Sequence, residues 1–133
     1  MTAPRRDHGV AQTAWTAVTS IADGKFTQYR TRVLQLPVMF RTSGLVASLA
    51  YLASKGGVHE ILAKQVAEHV GPAIGLAGTA TPQTLIGALT AGTPGVQRRA
   101  EEAARTYADW LKRSVESLKY QKAASAKTGG ADA

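Results

Sequence analysis

Hydrophobic residues recur along this chain at intervals of three and four, with polar residues between them. That spacing places the apolar side chains on one face of an α-helix. Ala14, Trp15, Val18 and Ile21 predict a first helix from about Val10 to Ala22, and Asp23-Gly24 signals a turn after it. Phe26, Tyr29, Val33 and Leu36 line one side of a second helix, with Lys25, Gln28, Arg30 and Arg32 on its other sides. Pro37 is expected to end or kink that helix, because proline lacks an N–H and disfavours the helical conformation in the residue before it.

The most apolar stretch runs from Leu36 to Gly57 and carries no charge between Thr42 and Ser54. Leu45, Leu49 and Leu52 recur at helical spacing, and Ala47, Ser48 and Ala50 fill the other sides with small groups. Ser43 is the expected N-cap, its hydroxyl accepting from a first-turn N–H, and Gly56-Gly57 the expected stop. A helix apolar on almost every side is expected inside the bundle. Arg41 and Lys55 flank it as cations with no acidic neighbour in sequence.

Val58 to Val70 predicts a short amphipathic helix, with Ile61, Leu62, Gln65, Val66 and Val70 inward and Glu60, Lys64 and Glu68 outward. Residues 71–81 read as a Gly/Ala loop. Thr81-Pro82 and Thr93-Pro94 both signal a helix start, with threonine as cap and proline at the first position. The last helix, from Gly95 to about Lys122, turns Val96, Ala100, Ala103, Tyr107, Trp110, Leu111, Val115 and Leu118 to one side. Arg98, Arg105, Lys112 and Lys119 recur every seven residues on the opposite side, and Glu102, Asp109 and Glu116 each follow one of these cations by four. No segment alternates with the period of a strand. The chain is therefore expected to be all-α, a single compact bundle of five or six helices over residues 10–122. Residues 1–9 are expected to form a flexible arm and 123–133 a disordered tail.

With 133 residues the chain suits one domain. It has no cysteine, so neither a disulfide nor a thiolate metal site is available, which fits a cytoplasmic protein. The opening residues, MTAPRRDHG, are polar, and no apolar run of signal type follows. The longest uncharged run, residues 70–97, is broken by prolines and glycines, so no membrane span is expected.

Charge changes the picture more. The net charge is +7, and such an excess speaks about partners. Residues 24–59 contain Lys25, Arg30, Arg32, Arg41 and Lys55 without one Asp or Glu. The last helix mixes both signs, and its seven-residue ladder reads as a solvated, mutually paired face. Arg99 and Arg113 lie off the ladder and are freer for outside contacts.

No catalytic constellation appears. His8, His59 and His69 have no partner at metal-binding spacing and read as surface histidines, so no metal or other cofactor is expected. No serine or threonine stands in a nucleophile-elbow setting with a plausible base. The glycines of residues 71–95 lack the Gly-Lys-Ser/Thr ending of a phosphate loop. The aromatic residues, Tyr51 among them, mostly fall on apolar faces and read as core.

Three elements stand in a fixed order. A Tyr29-containing basic helix leads to Leu36-Pro37. Ser43-Gly44-Leu45 then precedes Leu49-Ala50-Tyr51-Leu52-Ala53-Ser54-Lys55. Finally Arg98-Arg99 and Glu101-Glu102-Ala103 lead to Trp110-Leu111-Lys112-Arg113. From about Ala14 to Leu118 the chain resembles the small helical subunit of the type III-B CRISPR effector, the Cmr complex. It departs from that pattern in its Gly/Ala/Thr-rich residues 71–95 and at Val96-Gln97, where the family often has a tyrosine. The resemblance implies a non-catalytic subunit, stacked with copies of itself as an inner filament. Its neighbours would be the backbone subunit, the large polymerase-like subunit, and the guide RNA with its target RNA. Backbone recognition of that duplex by Lys and Arg fits the unpaired cations. The candidate contacts are Arg30, Arg32, Arg41, Lys55, Arg99 and Arg113, with Lys64, Arg98 and Lys112 behind them. Two other readings stand beside this one: a helical DNA-binding regulator, and an assembly adaptor whose basic surface meets acidic proteins.

Overall fold

A computed structural model describes the backbone of residues 3–132 and the side chains of residues 9–126. Among these residues it is all-α: α1 (Ala3–Thr19), a 3-10 turn (Asp23–Lys25), α2 (Phe26–Ser43), α3 (Leu45–Lys55), α4 (Gly57–Ala73), α5 (Pro82–Ala91) and α6 (Pro94–Asp132). The six helices fall within the expected number. Both terminal helices are longer than the apolar spacing alone outlined, since α1 starts at Ala3 and α6 continues to Asp132.

α6 is the spine. It packs most extensively against α1 and α2, then α4, and buries Ala100, Ala104, Tyr107, Ala108, Leu111 and Val115. The alanines at 104 and 108 widen the inner face beyond the large residues, because their small side chains let neighbouring helices approach. Tyr29, Val33 and Leu36 of α2, Leu49 and Leu52 of α3, and Leu62 and Val66 of α4 complete the core.

Pro37 does not end α2. The helix continues through it to Ser43, and Met39 and Phe40 beyond it still pack against the core. Burial of those side chains outweighs the local cost of a missing N–H. The break falls instead at Gly44, whose φ of 83° lies in the left-handed region. Ser43 is therefore the last residue of α2 rather than a cap, and no side chain caps α3. The hydroxyl of Ser48 lies 2.6 Å from the Gly44 carbonyl oxygen and 3.2 Å from that of Met39. It thus ties α3 back to α2. α3 is not enclosed on all sides: Leu45, Ser48, Leu49 and Leu52 are buried, whereas Ala47, Ala50, Tyr51 and Ser54 face outward.

The two Thr-Pro starts form as expected. Thr81 and Thr84 make a reciprocal capping box at α5, and the Thr93 hydroxyl accepts from the Val96 N–H at α6. α1, α2 and α4 are locked by one polar chain. The buried Tyr29 hydroxyl donates to Gln65 Oε1 at 2.5 Å, and Gln65 Nε2 donates to the Ala17 carbonyl at 3.2 Å. Burial first, and the neighbouring Tyr107 second, raise the Tyr29 hydroxyl's pKa, so it remains a donor.

Tyr29→Phe is expected to destabilise the fold by about 0.5–1.5 kcal/mol, because it removes the donor to the half-buried Gln65 oxygen. Urea denaturation checks this. A loss within experimental error would mean that the hydroxyl bond contributes nothing net.

Candidate functional site

The candidate cations do not form one patch. Each is placed by its helix, and the neighbours across the bundle decide how free it is. Arg30, on α2, is not unpaired: its Nε donates to Glu116 Oε1 of α6 at 2.7 Å. The sequence spacing assigns Glu116 to Lys112 four residues earlier, but the packing of α2 on α6 offers a guanidinium instead. The Glu116 carboxyl is held below its usual range, first by the Arg30 hydrogen bond and then by the charges of Arg30, Lys119 and Lys112. Lys112 therefore shares an acid already engaged by Arg30. Among the described residues, ion pairs join Arg30 to Glu116, Lys64 to Glu60 at 3.4 Å, and Lys122 to Asp23. Of these three, Lys64–Glu60 alone is a pairing four residues apart, and among the described residues the ladder of α6 closes none.

Arg41 sits in the last turn of α2 and Lys55 ends α3; between them runs α3, whose 11 residues span about 16 Å. Arg41 edges a groove of about 430 Å3 with Pro37, Phe40 and Leu45 on one side and Glu101, Ala104, Arg105 and Asp109 of α6 on the other. It thus gains acidic neighbours that lie far away in sequence. Arg98, Arg99, Lys112 and Arg113 are exposed on α6. The Arg113 guanidinium covers the Trp110 ring, 4.6 Å from its centroid.

Lys55 has a different setting. Its Nζ lies 5.2 Å from the centroid of Tyr51, and with Arg32 and His59 it lines a groove that also holds Gln28 and the backbone of Gly56 and Gly57. Arg32, Lys55 and His59 come from α2, α3 and α4, and no acidic residue lines the groove. Sequence spacing missed His59 and Tyr51 here. Tyr51 is 44% exposed rather than core, and its ring meets His59 edge-on with centroids 6.1 Å apart. Burial, then Arg32 and Lys55, hold the His59 imidazole below its ordinary pKa. The one available signal was local: the uncharged helix ends in Lys55-Gly-Gly-Val-His59, so a short glycine turn keeps both side chains close.

His69 is likewise no free surface histidine. It stacks on Tyr107 at 4.3 Å and 10°, beside a polar cleft of about 590 Å3 between α1, α4 and α6. Among the described residues no three histidine, cysteine or acidic side chains converge, and no helix is long and apolar enough to cross a membrane.

Comparison with known proteins adds two findings. Residues 6–118 match the family model described as CRISPR-associated protein (Cas_Cmr5). The fold is similar to the X-ray crystal structure of a CRISPR-associated Cmr5 family protein from Thermus thermophilus. The TM-score is 0.71 at 27% sequence identity, covering 85% of this chain and 96% of that one. No curated protein matches the chain.

Because Glu116 has a lowered folded pKa, its contribution to stability is complete above the ordinary value of 4.5. It is lost as the pH falls through the lower folded value. Glu116→Gln removes this contribution. The variant's urea midpoint is expected to fall less than wild type's between about pH 5 and about pH 3. Parallel pH profiles would show that the pair adds nothing.

Proposed function

The chain belongs to the Cmr5 family, the small subunit of the type III-B CRISPR effector, and from that premise we propose that it is a non-catalytic, RNA-contacting filament subunit. Copies stack beside the backbone subunit and against the large polymerase-like subunit, along the guide RNA and its paired target. The chemistry of cleavage resides elsewhere in the assembly, and this subunit supplies a rigid helical body with cations at its edge.

The observation that carries the RNA-contacting part is the uneven charge of the surface. Residues 24–59 provide five cations and no acid. Of these, Arg30 alone has a carboxylate partner within salt-bridge distance among the described residues. Cations without internal partners are the ones whose association with phosphate releases counterions. The duplex is met through its backbone, and base pairing between guide and target reads the sequence.

The groove beside Arg41 favours the assembly part of the reading. Its Pro37, Phe40, Leu45 and Ala104 give an apolar floor, and Arg41, Arg105, Glu101 and Asp109 a rim of both signs. An apolar centre with a polar rim suits a protein neighbour. A free-standing DNA-binding regulator has less support, since it needs an exposed recognition helix that aims Arg, Asn or Gln at base edges.

Arg41→Glu combined with Lys55→Glu is expected to weaken target-RNA binding by the assembled complex. It should also lower the salt slope by about one unit for each phosphate no longer neutralised, and leave the monomer's helicity intact. Unchanged affinity and slope in this double variant would remove both residues from the RNA surface. Purification from native lysate with nuclease treatment before elution separates the alternatives. Cmr subunits with short guide RNA should co-purify under this reading, duplex DNA under the regulator, and protein partners without RNA under the adaptor.

A further inference from the structure

The groove between the start of α4 and the flank of α2 is more than a place where cations happen to be exposed. Arg32, Lys55 and His59 enter it from three helices, and it encloses about 350 Å3. Each side chain is oriented by a neighbour. Arg32 Nη1 donates to Gln35 Oε1 at 2.9 Å, the Lys55 ammonium rests over Tyr51, and His59 meets the Tyr51 ring edge. Holding donors in place before a ligand arrives reduces the ordering cost of binding. The closest acid in sequence, Glu60, is engaged by Lys64 at 3.4 Å. The N-terminus of α4 also opens here, because Gly56 supplies no capping side chain. First-turn N–H groups have no partner within a helix and carry its positive end.

We propose that Arg32, Lys55 and His59 form a seat for one backbone phosphate of RNA. The inference rests on the RNA-contacting reading above and assigns it a specific place. Donors arriving from three helices suit a tetrahedral group, whose oxygens point several ways; a planar carboxylate accepts along one edge. Tyr51 fixes the ammonium and the imidazole but reads no base, so the seat is indifferent to sequence. The electrostatics agree: burial first, and then the charges of Arg32 and Lys55, depress the His59 imidazole, and a bound anion offsets the two charges.

The test follows the histidine ring signals of the full-length chain by NMR, first with inorganic phosphate and then with a short oligouridylate. Both are expected to move the His59 signals saturably and to raise its pKa. His69, ten residues further along α4 and about 15 Å away, should stay still. Arg32→Ala and Lys55→Ala should each lower the salt slope of oligouridylate binding by about one. Lys119→Ala, an equal change in net charge at an exposed position of α6, should not. Oligocytidylate should bind as well as oligouridylate. Signals of His59 that ignore both ligands, while the assembled complex still binds target RNA, would overturn the seat and leave the RNA-contacting function standing. A response to inorganic phosphate but not to the oligonucleotide would overturn the assignment to RNA. So would an oligoglutamate of equal charge that moves His59 as strongly, which would point to an acidic protein instead.

Discussion

Between Phe26 and Ala73 the chain leaves its helices only at Gly44 and Gly56, and the rest of the molecule depends on those two positions. Both have positive φ, 83° and 72°, where a Cβ is strained whatever space surrounds it. With so little turn between them, three helices must pack on one another directly, and their ends are held close. The Ser48 hydroxyl links α3 to the Met39 carbonyl of α2. Arg32 and Lys55 then meet at the other end of the same pair, with His59 just past the second glycine. The site is a geometric consequence of where the backbone can turn.

That constraint also explains which parts were legible in the sequence. Helix starts at Thr81-Pro82 and Thr93-Pro94 are local devices, readable because cap and helix are neighbours in the chain. The buried faces of α2 and α4 were readable from periodicity. Pro37 did not end α2, because its effect is local, whereas the burial that carries the helix past it depends on α6. α3 was apolar enough to suggest full enclosure. In fact its outward residues are mostly alanine and serine, which cost little to expose.

The candidate site was legible as a census and not as a map. The acid-free stretch correctly singled out cations lacking sequence neighbours of opposite sign. It could not show that Glu116, 86 residues from Arg30, would take that guanidinium, or that Glu101 and Asp109 would stand across a groove from Arg41. Charges pair through space, so a count along the chain overestimates freedom wherever α6 lies alongside. Arg32 and Lys55 keep theirs because the groove they share is walled by the start of α4, not by the acidic face of α6. His59 was missed for the same reason in reverse: a lone histidine gains meaning only from the two cations brought to it.

Rigid support matters to the way such a surface works. A cation on a mobile segment loses conformational entropy when it meets a phosphate, and part of its electrostatic gain goes to ordering it. Here the three helices that carry Arg32, Lys55 and His59 are fixed from beneath. Leu36, Leu52 and Val66 are buried in a common core, and the Tyr29–Gln65–Ala17 chain joins α2, α4 and α1 by hydrogen bonds. The bond between Tyr29 and Gln65 is neutral, so it persists at salt concentrations that screen the surface charges. Core and rim therefore respond to different conditions. High ionic strength would weaken the hold on an anionic partner without loosening the frame that positions it, so in the proposed RNA-contacting role the subunit would release its nucleic acid while remaining folded.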